Sequence, residues 1–123
     1  MNDVTAGDLQ NRDREFTRSK SFDTFAPLGP VIETAIENPD ALALTTKHNG
    51  QLRQNANTLD LIFKTDFLVS FISHIMTLLP GDVISTGTPP GVGQIKPGDI
   101  VEIEIEQIGV LINPVTEPVS SPG

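Results

Sequence analysis

The clearest periodic pattern of apolar side chains lies between residues 65 and 79, where such residues recur three and four positions apart. This spacing places them on one face of an α-helix. Thr65 is a suitable N-cap, and Pro80 with Gly81 would stop the helix. The sequence therefore predicts a helix over residues 65–79 with one face packed into the core. That face consists of Phe67, Phe71, Ile72 and Ile75.

A second pattern, strict alternation of apolar and acidic residues, covers residues 100–106. A period of two is that of a β-strand with one buried face. The apolar face holds Val101, Ile103 and Ile105, and the acidic face holds Glu102, Glu104 and Glu106. We interpret the glutamates as facing solvent rather than forming a metal cluster. Residues 110–112 are the predicted partner strand.

Two strand-like runs, residues 41–46 and 51–63, flank Asn49 and Gly50. Asn-Gly between strands is the strongest short-range hairpin signal, because both turn positions need a positive φ. Residues 82–85 have the composition of a further short buried strand. The sequence therefore predicts a hairpin and additional strands around the single main helix.

These patterns indicate an α+β fold that is β-rich, with one main helix and antiparallel strands. A chain of 123 residues is long enough for one domain. We assign residues 1–117 to that domain and residues 118–123, which are rich in Ser and Pro, to a flexible tail.

Composition narrows the classes of function. Eight Lys and Arg against sixteen Asp and Glu give a net charge of −8, whereas a nucleic-acid surface needs clustered basic residues. The chain has no cysteine, which excludes a disulfide framework and a cysteine nucleophile. We see neither a signal peptide nor an apolar run of the ~18 residues that a membrane span needs. We expect a cytoplasmic protein that binds neither nucleic acid nor a membrane.

Three places in the sequence hold residues suited to chemistry, and each has a plain alternative. Asp3 and Asp8 offer the oxygen ligands that Mg²⁺ prefers, yet two carboxylates make half a site at best. Lys20 would stabilise a developing oxyanion or remain a solvated cation. The loop at residues 86–93, rich in Gly, Pro and Thr, would offer N–H groups to a carboxylate or serve only as a turn. The two histidines lack zinc-ligand spacing, and no Gly-x-Ser-x-Gly motif is present.

Taken in order, several motifs resemble those of the fumarylacetoacetate hydrolase family. Asn-Asp-Val-Thr-Ala at residues 2–6 is followed by Lys-Ser-Phe-Asp-Thr-Phe-Ala-Pro-Leu-Gly-Pro at residues 20–30. The later Leu-Pro-Gly-Asp-Val-Ile-Ser-Thr-Gly-Thr-Pro-Pro-Gly-Val-Gly at residues 79–93 is similar to the family's second signature. Lys-Pro-Gly-Asp at residues 96–99 precedes the predicted strand. The resemblance covers roughly residues 1–115.

This resemblance implies a mixed β-roll, the fold of the fumarylacetoacetase-like catalytic domain, present here in incomplete form. It further implies a bound Mg²⁺, or Mn²⁺ or Ca²⁺ in its place, with Asp3 as a metal ligand. Lys20 corresponds to the catalytic lysine beside the reacting carbonyl, and Thr24 to a metal-proximal residue. Gln10 and Thr88 correspond to substrate-binding residues.

The activity implied by the resemblance is hydrolysis of a C–C bond in an acylpyruvate or similar diketo-acid. The implied partner is a small oxo-acid, and the intact protein is expected to be a homodimer. Two alternatives stay open, because one fold hosts several reactions. The first is isomerisation or decarboxylation of the 2-hydroxyhepta-2,4-diene-1,7-dioate type in aromatic catabolism. The second is a non-catalytic remnant.

Three departures from the family pattern affect these expectations. Gly7 stands where the family usually has Arg, and Gln107 stands where its last strand pair usually has Gly. The family's Glu-x-Glu ligand pair and its lid lie upstream of the Asn-Asp segment and are absent from this sequence. We therefore expect an amino-terminally truncated domain that begins within a strand, binds metal weakly and is inactive by itself.

Overall fold

The elements of the protein follow one another as two short helices, a hairpin, a longer helix and a second hairpin. The computed structural model describes residues 1–117, so the predicted tail at residues 118–123 lies outside the described part. No helix within residues 1–117 is long and apolar enough to cross a membrane. The elements are α1 (Gly7–Gln10), α2 (Thr17–Lys20), β1 (Ala43–His48), β2 (Gln51–Asn57), a 3-10 turn (Thr58–Asp60), α3 (Thr65–Ser73), β3 (Ile100–Ile105) and β4 (Gly109–Pro114).

The four strands form one antiparallel sheet in the order β2-β1-β3-β4. This confirms the α+β, β-rich prediction. The alternating run at residues 100–106 forms β3 over Ile100–Ile105. Its predicted partner over residues 110–112 lies within β4. The two hairpins are joined side by side because β1 also pairs with β3, placing Leu44 opposite Ile105 and Thr46 opposite Ile103.

The β1–β2 hairpin turns at Asn49 and Gly50, whose φ angles are 50° and 76°. Both are positive, as the Asn-Gly signal requires. The second strand is shorter than predicted and ends at Asn57. There the Asn57 side chain accepts from the N–H of Leu59 at 2.9 Å, and the Asp60 carboxylate accepts from the N–H of Asn57 at 3.2 Å. These local hydrogen bonds form a capping box that starts a 3-10 turn in place of more strand.

The core lies on one face of the sheet. Val101 and Ile103 of β3 are buried, and Leu42, just before β1, is 3% exposed. On the opposite face Glu104 is exposed and Glu102 is half-buried, while Glu106 follows the end of β3 and is exposed. The alternation of β3 therefore separates core from solvent as predicted.

Helix α3 is shorter than predicted and ends at Ser73 instead of residue 79. Thr65 is its first residue rather than its N-cap, and the carboxylate of Asp40 accepts from the Thr65 N–H at 3.1 Å. At the other end the Ser70 carbonyl accepts from the hydroxyl of Ser73 at 2.8 Å and from Nδ1 of His74 at 2.7 Å. Side-chain donors that occupy this carbonyl compete with continuation of the helix.

The prediction that α3 buries its apolar face is wrong for the described residues. Phe67, Phe71 and Ile75 are 49%, 56% and 67% exposed, and Ile72 is only half-buried. The rings of Phe63 and Phe67 stack at 4.9 Å between centroids, and those of Phe67 and Phe71 at 6.1 Å. The half-buried positions of α3 are Thr65, Leu68 and Ile72, and within residues 1–117 the sheet does not cover this helix.

The predicted strand at residues 82–85 is also wrong, since these residues pair with no strand in the described part of the chain. The N–H of Leu79 donates to the Asp82 carboxylate at 2.8 Å, and the N–H of Asp82 donates to the Leu79 carbonyl at 3.0 Å. These reciprocal hydrogen bonds form a turn in place of the predicted strand. Ile84 and its neighbours then pass along the cavity described next.

Candidate functional site

A cavity of about 1040 Å³, open to solvent, lies over the core face of the sheet. Its floor comes from β1, β2 and β3, and its walls come from nine of the first eleven residues, from Lys20 and from most of the stretch between residues 84 and 95. Its size is in the range of small-molecule sites. The floor residues are Leu44, Thr46, His48, Arg53, Gln54, Val101, Ile103 and Ile105.

Asp3 is held in the cavity wall through its neighbour Asn2. The Asn2 N–H donates to the Pro27 carbonyl at 3.0 Å, and the Asn2 side-chain amide donates to the side chain of Asn113 at 3.0 Å. Asn113 belongs to β4 and lies opposite Val101 on the cavity face of the sheet. These bonds fix the first residues to the sheet, and Asp3 lines the cavity beside them.

Lys20 reaches the same wall from the end of α2. The N–H of Ala6 donates to the Ser19 carbonyl at 2.8 Å, and Ser19 is fully buried with its hydroxyl on the Phe16 carbonyl at 2.7 Å. The Lys20 ammonium then forms an ion pair with the Asp3 carboxylate, 17 positions away in the chain. The side chains are 30% and 27% exposed, so water still reaches this pair.

The remaining predicted residues divide between cavity and surface. Gln10, the last residue of α1, is half-buried and lines the cavity. Thr88 lines the opposite wall, and its hydroxyl accepts from the side-chain amide of Gln54 at 3.3 Å. Thr24 is exposed, has a φ of 70° and is not part of the cavity wall. Asp3, Gln10, Lys20 and Thr88 are therefore brought together, and Thr24 stands apart.

The described residues do not make a complete site for a hard divalent cation. Within residues 1–117 there is no group of three or more His, Cys, Asp or Glu side chains placed to hold a metal ion. The Asp3 carboxylate is already paired with the ammonium of Lys20. Mg²⁺ requires near-octahedral oxygen coordination. Asp3 fits as one ligand of such a site, and the described residues by themselves do not fit the whole site.

His48 has a role in the cavity floor that sequence reasoning did not identify. Its Nε2 lies 2.8 Å from the carboxylate of Asp99, which is 5% exposed. Asp99 also accepts from the side chain of Asn49 at 2.9 Å and from the N–H of Lys96 at 2.9 Å. The hydrogen bonds from Asn49, His48 and Lys96 lower the pKa of Asp99 to about 2. This ionised carboxylate ties the β1–β2 turn to the segment before β3.

Two further residues were missed, Thr46 and Gln54 in the cavity floor. The hydroxyl of Thr46 donates to the Gln54 side-chain oxygen at 2.7 Å, and Gln54 in turn contacts the 86–93 loop. A hairpin signal shows that two strands pair, but it does not show which side chains of an irregular pair face a pocket. The sequence carried no other sign of their role.

Gly7 leaves open space at the cavity wall. A Cβ added there would meet no atom within 4 Å, and the residue is exposed at the start of α1. A Cβ therefore fits at this position without displacing a neighbour. The departure at Gly7 therefore removes a cation at this one position of the wall, while Lys20 and Arg53 still line the cavity.

The chain matches a known protein family over nearly its whole length. A family model described as "Fumarylacetoacetate (FAA) hydrolase C-terminal" matches residues 1–116. The chain belongs to the fumarylacetoacetate hydrolase family. Because the match spans the first residues, α2, both hairpins and the 86–93 loop, it includes every wall of the cavity.

Relatives within the family carry out different reactions. A 2-hydroxyhepta-2,4-diene-1,7-dioate isomerase from Mycobacterium marinum is 51% identical in sequence to this chain, and its crystal structure matches with a TM-score of 0.89. The match covers 93% of this chain and 45% of the isomerase chain. An oxaloacetate tautomerase of Rattus norvegicus is 44% identical, over 92% of this chain and 39% of its own length. A maleylpyruvate hydrolase from Sphingobium, solved with manganese(II) and pyruvate, is 42% identical with a TM-score of 0.79, over 84% and 40%.

The chain spans less than half the length of these relatives. What it shares with them is the carboxy-terminal domain of the family, with its four-stranded sheet and few helices.

Proposed function

We propose that the protein acts on small 2-oxo acids, with hydrolysis of a C–C bond in an acylpyruvate or related diketo-acid as its reaction. One observation carries this proposal. Asp3, Gln10, Lys20 and Thr88 lie up to 85 positions apart in the chain yet line a single cavity. A cavity of this size, lined by apolar side chains and a few convergent polar groups, is typical of a small-molecule site.

The residues of the cavity suit an acid with two adjacent oxygens. The hydroxyl of Thr88 and the backbone of the glycine-rich loop offer donors to the substrate carboxylate. The Lys20 ammonium lies on the wall opposite the loop and would stabilise the oxyanion that develops on the oxo group. Gln10, beside it on the same wall, offers a second donor for that oxygen.

A divalent cation, Mg²⁺ or Mn²⁺, belongs to the proposal for the intact protein only. Its support is the carboxylate of Asp3 in the cavity and the manganese in the Sphingobium hydrolase structure. Such an ion polarises a bound oxo-acid when present. The partners we propose are a small oxo-acid as substrate and, in the intact protein, a second copy of the chain.

A second candidate reaction is isomerisation or tautomerisation of a similar acid. The isomerase structure from Mycobacterium marinum is 51% identical to this chain, and the Sphingobium hydrolase is 42% identical. Both reactions place negative charge on an oxygen next to a carboxylate, so the same lysine and threonine serve either one. The two reactions differ in whether water breaks a C–C bond of the substrate.

The test is an assay of the intact gene product with acylpyruvates, maleylpyruvate and oxaloacetate in H₂¹⁸O, followed by mass spectrometry. Hydrolysis yields two products, and one of them carries ¹⁸O in its new carboxylate. Isomerisation leaves the substrate mass unchanged except for exchangeable oxygen. We expect ¹⁸O-labelled cleavage product from at least one acylpyruvate.

Matched variants link the activity to the cavity. Lys20→Met should lower kcat by about 10²–10³-fold, because it removes an oxyanion partner. Arg18→Met, on the same helix but salt-bridged to Asp13 at the surface, is the control and should keep wild-type turnover. No turnover of any oxo-acid by the intact protein would overturn the proposal in favour of a non-catalytic remnant. Wild-type kcat in Lys20→Met would overturn the role of Lys20 in the reaction.

A further inference from the structure

The backbone of the 86–93 loop lies directly against strand β2. Gly91 has a φ of +109°, and a Cβ built on it would be 2.1 Å from the carbonyl oxygen of Arg53. No side chain fits at that distance, so only glycine allows this approach. The loop that carries Thr88 is therefore seated on β2 at Arg53 and Gln54.

The side chain of Gln54 holds the loop in this position against β2. Its Nε2 donates to the Pro89 carbonyl at 2.8 Å and to the Thr88 hydroxyl at 3.3 Å. A carbonyl oxygen only accepts, so the group facing Pro89 must be the NH₂ end of the amide. The other end, Oε1, accepts from the hydroxyl of Thr46 at 2.7 Å. Thr46 is buried at 9% exposure, so water has little access to its hydroxyl.

A β-bulge places Gln54 where it can do this. On β1 and β2, His48 pairs with Gln51 and Lys47 with Leu52, but Thr46 pairs with Gln54 because the register shifts between Thr46 and Lys47. Arg53 is the extra residue. Directly opposed residues point to the same face of a sheet. Because of the bulge, the side chain of Gln54 lies on the same face of the sheet as that of Thr46. This face forms the floor of the cavity.

The bond from Gln54 also determines what Thr88 can offer. A hydroxyl has one proton and two acceptor positions. Because the Thr88 oxygen accepts from Gln54, its own proton is left for another acceptor, and the residue lines the cavity. A substrate carboxylate in that cavity is such an acceptor.

We propose that Gln54 is a positioning residue, held by Thr46, which sets the 86–93 loop and directs the Thr88 hydroxyl towards the carboxylate of the bound acid. This proposal rests on the proposed function, in which Thr88 receives that carboxylate. It predicts that the effect of Gln54 appears in binding of the acid, and that it disappears when Thr88 can no longer donate.

The experiment measures the Kd for pyruvate by NMR titration of the intact gene product, together with KM and kcat for its oxo-acid substrate. Gln54→Met has similar length and no charge but removes both hydrogen-bonding ends. It should raise Kd and KM by about five- to tenfold, the effect of one lost hydrogen bond, with a smaller change in kcat. Thr46→Val should act in the same direction, and Thr46→Ser, which keeps the hydroxyl, should restore most of the affinity.

Two controls separate positioning from general stability. Thr45→Val lies next to Thr46 on β1, outside the cavity lining, and should leave Kd unchanged. In a double-mutant cycle, Gln54→Met added to Thr88→Val should weaken binding no further, because the two act through one hydroxyl. Thermal melting of each variant shows whether a loss of binding reflects a loss of folding.

The outcomes distinguish this inference from the proposed function. If wild-type protein binds no pyruvate, or if Thr88→Val binds it normally, the proposed function fails and the inference with it. If Thr88→Val loses affinity while Gln54→Met keeps it, only the inference fails. Additive losses in the double variant would likewise overturn it and would leave Gln54 as a structural residue of the hairpin.

Discussion

The imidazole Nε2 of His48 lies 2.8 Å from the carboxylate of Asp99, joining residues that are 51 positions apart. Hydrogen bonds from Asn49, His48 and Lys96 lower the pKa of this carboxyl from 3.8 to about 2. The contact lies at the end of β1, where the side-chain oxygen of Asn49 also accepts from the Ile100 N–H at 2.8 Å. The stability of the fold therefore depends on whether the Asp99 carboxyl is ionised.

The first prediction concerns acid stability. A carboxyl with a lowered pKa stabilises the folded state above its ordinary pKa, and this contribution disappears as the pH falls through the lowered value. Stability should therefore decline between about pH 4 and about pH 2. Urea unfolding at several pH values measures this. Asp99→Asn should be less stable at neutral pH and show a shallower decline in that window.

The exposed Asp23 provides the control for this series. Asp23→Asn should keep the wild-type pH profile, since the contacts of Asp99 remain. Equal slopes in wild type and Asp99→Asn would show that this carboxyl does not govern the acid transition.

The second prediction replaces the expectation that Phe71 is a core residue. Phe71 is 56% exposed and stacks on Phe67, so Phe71→Ala should lower the free energy of unfolding by only about 0.5–1.5 kcal/mol. Leu42→Ala, at 3% exposure, should lower it by about 2–5 kcal/mol. Chemical denaturation of both variants gives the comparison. A loss above that of Leu42→Ala would mean that the α3 face is covered in solution.

The third prediction concerns the β3–β4 turn, where Gln107 has a φ of 66°. A non-glycine residue pays roughly 1–2 kcal/mol for this left-handed conformation. Gln107→Gly should therefore raise the free energy of unfolding by about 1 kcal/mol. Gln51→Gly, in an extended strand, is the opposite case and should lower it by about 0.5–1 kcal/mol. Thermal or urea unfolding distinguishes the two signs.

The fourth prediction is weak metal binding by the 123-residue chain. Asp3 is paired with Lys20, and residues 1–117 hold no cluster of metal-binding side chains. Calorimetric titration with Mn²⁺ should give weak binding, with no turnover of an acylpyruvate. Lys20→Met should strengthen binding because the ammonium no longer competes for the carboxylate, and Asp3→Asn should remove what remains.

Tight one-to-one Mn²⁺ binding with measurable turnover would contradict this prediction. It would mean that the acidic face of β3, with Glu102 and Glu104, supplies ligands that the structure turns away from the cavity.

Local sequence was sufficient for several parts of the protein. The Asn49-Gly50 turn and the alternation of β3 each depend on a few neighbouring residues. The ordered motifs were sufficient for the family, since the family match spans residues 1–116. They also identified four residues that share one cavity, namely Asp3, Gln10, Lys20 and Thr88.

The burial of the helix face and the register of the strands became visible only in the tertiary structure. An apolar helix face requires a covering surface, which the described residues do not provide for Phe67 or Phe71. Likewise, a regular two-residue hairpin would set Arg53 opposite Thr46, and only the bulge brings Gln54 there. Register and burial depend on contacts between segments far apart in the chain, so the residue that holds the Thr88 loop became visible only in the folded protein.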